Sequence, residues 1–491
     1  MSFHLMKPIR FTFNFALVAV VGLLLASNAK GQLTTLHTFA ATSGAFLTNS
    51  DGAKPAWGLL LSGNVLYGTT HDGGVYGAGA VFAINTNGTG FTNLYSAVSS
   101  TAVTPSSPVV LSGNTLYGLS DVGGAPRHGT VFKVNTDGTV PALVYFFTNS
   151  GGASPVGELA LAGDRLYGTT FKGGSGAGSV FAVSTNGSGF TNLHRFTGGA
   201  TNSGGNFPQA GVILSGSTLY GTARQSGAWG SGTIFAVNTN STGFTNLHSF
   251  AVLALNAESV STNNEGALPQ AGLVLSGTRL YGTAPSGGGS GNGTVFALNT
   301  DGSGFTVLHS FSAFTNADNL TPGTNNDGGL PLAGLALSGN TLYGTTAFGG
   351  SSGSGTLFAI NTDGGGFTSL YSFSAPSDGG SSATNSDGIS PYGGLVISGN
   401  ALYGTTQGGG SFGNGTVFRF LLPPPPPALS IASVSNQTVL FWPASATNYV
   451  LESTTNLASP NWVPATDAVP VNAVTVSNTL PARFFQLRYA P

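Results

Sequence analysis

Four histidines, His37, His194, His248 and His309, recur inside one short motif, Leu-His-x-Phe. Such a set raises the question of a metal centre or a general base. Tyr95, Tyr145 and Tyr371 hold the same position in other copies of the motif. A tyrosine does not replace an imidazole as a zinc ligand or as a base near neutral pH, whereas both rings fill an aromatic slot with a polar tip. The slot therefore reads as packing. Asp51-Gly52, Asp327-Gly328 and Asp387-Gly388 recur as well, with Glu265-Gly266 as a variant. Calcium takes about six to eight oxygen ligands, and each of these loops supplies one carboxylate. An Asx-turn held by glycine accounts for the pattern without an ion.

Glycine pairs such as Gly73-Gly74 and Gly349-Gly350 lack the Lys-Ser or Lys-Thr of a phosphate loop, and no helix start follows them. They read as turns with positive φ. Glycoside chemistry needs two carboxylates about 5–9.5 Å apart. The chain holds 16 acidic residues, most of them in turns. Glu158 alone falls inside a predicted inner strand, where a lone acid reads as a solvated channel residue. There is no Gly-x-Ser-x-Gly elbow with partners and no His-Glu-x-x-His. The residues assign no catalytic group, no metal ligand and no cofactor.

The elements that carry these residues repeat. A Leu-Tyr-Gly core has its tyrosine at Tyr67, Tyr117, Tyr167, Tyr220, Tyr281, Tyr343 and Tyr403, and such a period dictates the fold. In the copy from Gly334 to Phe373, a short apolar run ends at the hairpin signal Ser338-Gly339-Asn340. Leu342 to Thr346, Gly355 to Ile360 and Phe367 to Phe373 follow as further runs of strand length, separated by glycine-rich turns. One repeat is therefore four antiparallel strands, A to D, with the Leu-Tyr pair packing blade to blade. The seventh copy lacks strand D, and Leu33 to Phe39 supplies a matching strand before the first copy. A ring needs that permuted strand; an open solenoid does not. The expected fold is all-β: a seven-bladed β-propeller of four-stranded blades over residues 32–422, closed by an N-terminal strand. The B–C and D–A loops should share one face, and the length variation lies in the D–A loops, so that face is the expected binding face.

Residues 1–31 read as a secretory signal peptide, with Lys7 and Arg10 before an apolar run shorter than the roughly 20 residues of a spanning helix. Pro423 to Pro427 is a stiff linker, and 428–491 a small C-terminal β-sandwich with strands from Gln437, Asn448, Val471 and Arg483. A net charge of −2 and 6% charged residues give no electrostatic basis for binding nucleic acid or an anionic membrane. With no cysteine, disulfides and thiolate metal sites are excluded.

Taken together, Leu-Tyr-Gly-Thr-Thr, Gly-Gly, Gly-Thr-Val-Phe, Leu-His-Ser-Phe and Asp-Gly-x-x-Pro resemble the GloVer (Gloeobacter–Verrucomicrobia) tandem-repeat family over about Leu33 to Phe420. The tail, with Tyr449-Val450-Leu451-Glu452, Asn461-Trp462 and Phe484 to Arg488, resembles a module of secreted verrucomicrobial proteins. The resemblance implies export and surface display and transfers no catalytic residues. The expected role is a non-enzymatic extracellular binding scaffold for a glycan or protein ligand, attached to a membrane only through an anchor. The alternative is a polysaccharide-active lyase or hydrolase on the same ring. Oligomeric state is left open.

Overall fold

The computed structural model describes residues 31–98, 104–124, 127–199, 202–315, 323–377 and 383–423, and a set of strands between 430 and 489. The expected signal peptide, up to residue 30, and Pro424 to Pro427 of the linker lie outside the described residues. Every regular element described is a strand, and no helix among the described residues is long and apolar enough to cross a membrane.

Seven four-stranded antiparallel sheets follow one another. The sixth has Ala336–Ser338 as strand A, Thr341–Thr346 as B, Thr356–Asn361 as C and Thr368–Ser372 as D. The A–B turn is tight because Gly339 supplies a φ of +57°. In the B–C register Gly344 faces Phe358. The glycine of Leu-Tyr-Gly is dictated by that neighbour, because a Cβ on Gly344 would stand 2.5 Å from Phe358 Cζ. The same ring-over-glycine arrangement pairs Phe82 with Gly68, Phe181 with Gly168 and Phe418 with Gly404.

The core is a series of seams. Tyr67 and Val81 of the first blade pack with Val109, Leu116 and Phe132 of the second. Equivalent clusters fill each junction, and one joins Leu59, Leu66 and Phe82 of the first blade to Ala401, Tyr403 and Val417 of the last. Leu66, Phe82, Leu342 and Phe358 are fully buried; each such side chain contributes about 1.5–3 kcal/mol on burial. The fourth strand of the seventh sheet is Gln32–Thr38, antiparallel to Thr416–Leu421 with Thr38 opposite Thr416.

Two features depart from the regular repeat. Strand A of the third blade runs from Ala153 to Ala162 instead of three residues, with a register shift between Val156 and Ala160. Gly157, at φ +79°, lies within that shift, and the other blades carry the same two-residue offset, as between Gly329 opposite Phe348 and Ala336 opposite Tyr343 in the sixth. The long loop after Phe250 folds part of itself into a small hairpin, Ala254–Leu255 against Ser261–Thr262.

Residues Pro424–Pro491 belong to a separate unit. It holds two three-stranded sheets: Ser430–Val434, Gln437–Phe441 and Ala473–Ser477 in one, Val463–Pro464, Tyr449–Thr454 and Phe484–Tyr489 in the other.

Candidate functional site at the channel mouth

A proline stands at the approach to each inner strand, Pro55, Pro105, Pro208, Pro269, Pro331 and Pro391, or, in the lengthened strand of the third blade, inside it, Pro155. In six of these seven places the residue before it has a left-handed backbone: Lys54, Ser154, Phe207, Leu268, Leu330 and Ser390 have φ between +52° and +56°. Such a conformation costs roughly 1–3 kcal/mol. Its backbone groups repay part of that by bridging blades. Leu330 N donates to Asn292 O of the preceding blade at 2.9 Å, and Leu330 O accepts from Ala347 N of its own blade at 3.1 Å. The threonine after Leu-Tyr-Gly ties the next segment in: Thr283 Oγ1 donates to Ala333 O at 2.9 Å and Thr405 Oγ1 to Trp57 O at 3.0 Å.

These segments enclose a central cavity of about 690 Å³. Its lining comes from the approaches to the A strands and from the ends of B strands, with no residue of a Ser-Gly-Asn turn. It therefore lies toward the face carrying the D–A and B–C loops. On that same face Phe46, Tyr76, Trp229 and Phe412 are exposed.

The repeat fails at the cavity wall. The residue after Pro is Ala56, Ser106, Val156, Gln209, Gln270, Leu332 or Tyr392, and two places further on stand Gly58, Pro108, Glu158, Gly211, Gly272, Gly334 and Gly394. Glu158 is the one acid in that series. It is open to the cavity but surrounded by the ring, and poor solvation pushes its carboxyl pKa up. At the edge of the cavity Asp72 binds Lys54 Nζ at 2.6 Å and His71 Nδ1 at 2.6 Å. The His71 hydrogen bond is the largest cause holding Asp72 at about 2, and the same bond raises His71. Sequence reasoning missed Lys54, His71 and Asp72. The available signal was the departure of Thr-Thr-His-Asp-Gly-Gly from the Thr-Thr-Ala-Phe-Gly-Gly of the sixth copy.

The recurrent histidines and acids lie elsewhere and belong together. On the outer strands His37 Nε2 meets Asp51 Oδ2 at 2.9 Å, His248 meets Glu265 at 3.1 Å and His309 meets Asp327 at 3.0 Å. Tyr371 donates to Asp387 Oδ2 at 2.7 Å in the same place. Each imidazole also lies flat on a phenylalanine of the next blade, His309 on Phe367 at 3.6 Å and His37 on Phe91 at 3.7 Å. His194 stacks on Phe244 at 3.5 Å with no acid partner, and burial lowers its pKa to about 4. Burial also lowers His248, outweighing the pull of Glu265. Among the described residues no group of three or more His, Cys, Asp or Glu could hold a metal.

A further repeated residue escaped the sequence reading. Asn325 Nδ2 donates to Ser312 O and Gly328 O, while its Oδ1 accepts from Gly328 N and Gly350 N, all within 2.8–3.0 Å. Asn49, Asn263 and Asn385 do the same in their loops. The repeated unit is thus Asn-x-Asp/Glu-Gly, which joins the D–A loop to the glycine-rich B–C loop.

A family model described as the Gloeobacter/Verrucomicrobia repeat matches residues 21–175, 129–324 and 253–385. No curated protein matches. Among solved structures, an oligogalacturonate lyase in complex with manganese is 12% identical, covering 81% of this chain and 95% of its own, with a TM-score of 0.48. A putative 6-phosphogluconolactonase from Bacteroides uniformis is 16% identical, covering 84% and 98%, with a TM-score of 0.42. TolB from Acinetobacter baumannii is 12% identical over 58% of each chain, with a TM-score of 0.34. At these identities and scores none of them bears on what this chain binds or does.

Proposed function

The chain belongs to the Gloeobacter/Verrucomicrobia repeat family, and on that premise we propose that it is an exported, non-catalytic scaffold that binds an extracellular glycan in the central cavity. The observation that carries this reading is where the repeat breaks. Seams use the same residues blade after blade, whereas at the cavity wall the residue after the proline varies among Ala, Ser, Val, Gln, Leu and Tyr, and the wall gathers Trp57, Tyr392, Gln209, Gln270 and Gln407. Flat aromatic rings beside amides suit a ligand with apolar faces and hydroxyl edges. The exposed aromatics on the D–A and B–C loops support the same face.

In this reading residues 1–31 direct export, Gln32–Thr38 is the clasp that closes the ring, and the C-terminal unit is a small β-sandwich that attaches the protein to the surface. A glycan array probed with the full chain and with a Trp57→Ala/Tyr392→Ala variant tests the reading. Binding by the first and loss of it in the second is expected; binding unaffected by the variant would remove the cavity from the proposal.

One observation favours a second reading. Asp72 orients His71 through Nδ1, leaving Nε2 without a partner among the described residues, with Lys54 alongside, and such a dyad can move protons. A polysaccharide-active enzyme would follow. Incubation of acidic and neutral polysaccharides with the protein, followed by measurement of new reducing ends or unsaturated products, decides between the two. Product formed by the native chain and abolished in His71→Gln would establish the enzyme.

A further inference from the structure

The wall of the cavity holds two acceptors without donors. Glu158 stands three places after Pro155, at the level of the cavity wall that a glycine or proline occupies in every other blade, and it is the one acid there. The backbones of the third and fourth blades meet at this point, since a Cβ on Gly211 would collide with the carbonyl of Glu158. Two residues before Gly211 stands Gln209, whose Oε1 is buried with no hydrogen-bond partner. Among the described residues no cation neutralises the Glu158 carboxylate. Lys54, the lysine of the lining, is held by Asp72 at 2.6 Å, and His71 is bound to the same carboxylate. One donor in the lining is also unpartnered, the indole Nε1 of Trp57.

We propose that Glu158 and Gln209 form a subsite for the ammonium group of an amino sugar, with Trp57 presenting its ring and its N–H to the same ligand. An ammonium carries three donors and no acceptor, which matches a carboxylate and an amide oxygen. The pairing also gives the unpaired carboxylate a partner of opposite charge. A neutral hydroxyl would satisfy the geometry and leave the charge, and an acetamido group would remove it from the ligand. The first and the fourth to seventh blades place a glycine at this level, so among the seven blades the third offers the carboxylate. The assignment deepens the glycan-binding reading and rests on it.

Titration calorimetry with the full chain separates the two. The probes are an oligomer of glucosamine, the same oligomer fully N-acetylated, and a neutral glucose oligomer. Charge-assisted hydrogen bonds exceed neutral ones, so the free-amine oligomer should bind about tenfold or more tighter than the other two. Glu158→Gln should erase that preference and leave the affinity for the neutral oligomer unchanged, with an unaltered Tm showing that the ring is intact. Equal binding of all three oligomers, or a preference that survives Glu158→Gln, overturns the subsite while leaving glycan binding in place. Absence of binding by every oligomer overturns the glycan reading itself. Nα-acetyl-lysine amide binding as tightly as the amino sugar would overturn the sugar and identify a peptide ligand.

Discussion

The seams between blades and the wall of the cavity are made by the same seven repeats under opposite rules. At the seams each position is filled by one kind of residue: Leu, Tyr and Gly on strand B, Phe on strand C, an aromatic ring with a polar tip on strand D, and in four loops Asn with an acid. At the cavity, the residue after each proline changes from Gln209 to Leu332 to Tyr392. Repetition follows where a side chain must fit the neighbouring blade, because every blade has the same neighbour. The cavity wall has no blade to fit, and its composition is free to follow a ligand. The recurrent histidines follow the rule of the seams: His309 is held by Asp327 and stacked on Phe367 of the next blade.

That contrast can be broken in order of expected effect. Deleting Gln32–Thr38 should be the most damaging change, since it exposes the edge of Thr416–Leu421 and opens the cluster that holds Leu59 and Tyr403. With a domain's net stability at about 5–15 kcal/mol, a thermal melt should show a collapse of Tm and aggregation, whereas deleting 428–491 should leave the ring's Tm nearly unchanged. Phe358→Ala should cost about 3–5 kcal/mol in denaturant unfolding. Gly344→Ala alone should cost about 1–3 kcal/mol and much less on the Phe358→Ala background; equal costs on both backgrounds would remove the ring-over-glycine explanation.

Asn325→Ala removes a side chain with four hydrogen bonds, and at about 0.5–1.5 kcal/mol net per bond it should cost several kcal/mol. Hydrogen exchange should locate the loss at the Gly328 and Gly350 amides. His194→Phe tests the stacking slot through pH. Burial holds His194 at about 4 against 6.5 for the free side chain, so the unfolded state protonates first. Its contribution is complete above about pH 6.5 and declines as the pH falls toward 4. The phenylalanine variant should lose less stability over that window than the native chain. Smallest of all, Glu158→Gln should change stability by no more than about 0.5 kcal/mol, because its carboxylate fastens nothing.

Seven copies of Leu-Tyr-Gly, the placement of glycine and the absent strand D of the last copy determined the strand count, the blade count and the antiparallel order. These are local matters, set by backbone sterics and by apolar periodicity. The sequence read the histidine slot as packing, through the tyrosines that share it, and in the structure His309 lies flat on Phe367. It did not join His309 to Asp327, 18 residues away, nor find Asn325 as the hub of two loops, because hydrogen bonds across a chain reversal leave no periodic trace. The joining of Lys54 to His71 and Asp72 across the Ala53–Asp72 bridge, and the gathering of Glu158 and Gln209 at one cavity wall, were decided only by the tertiary structure. They come from different segments or blades, and their convergence is a property of the tertiary arrangement rather than of any segment that composes it.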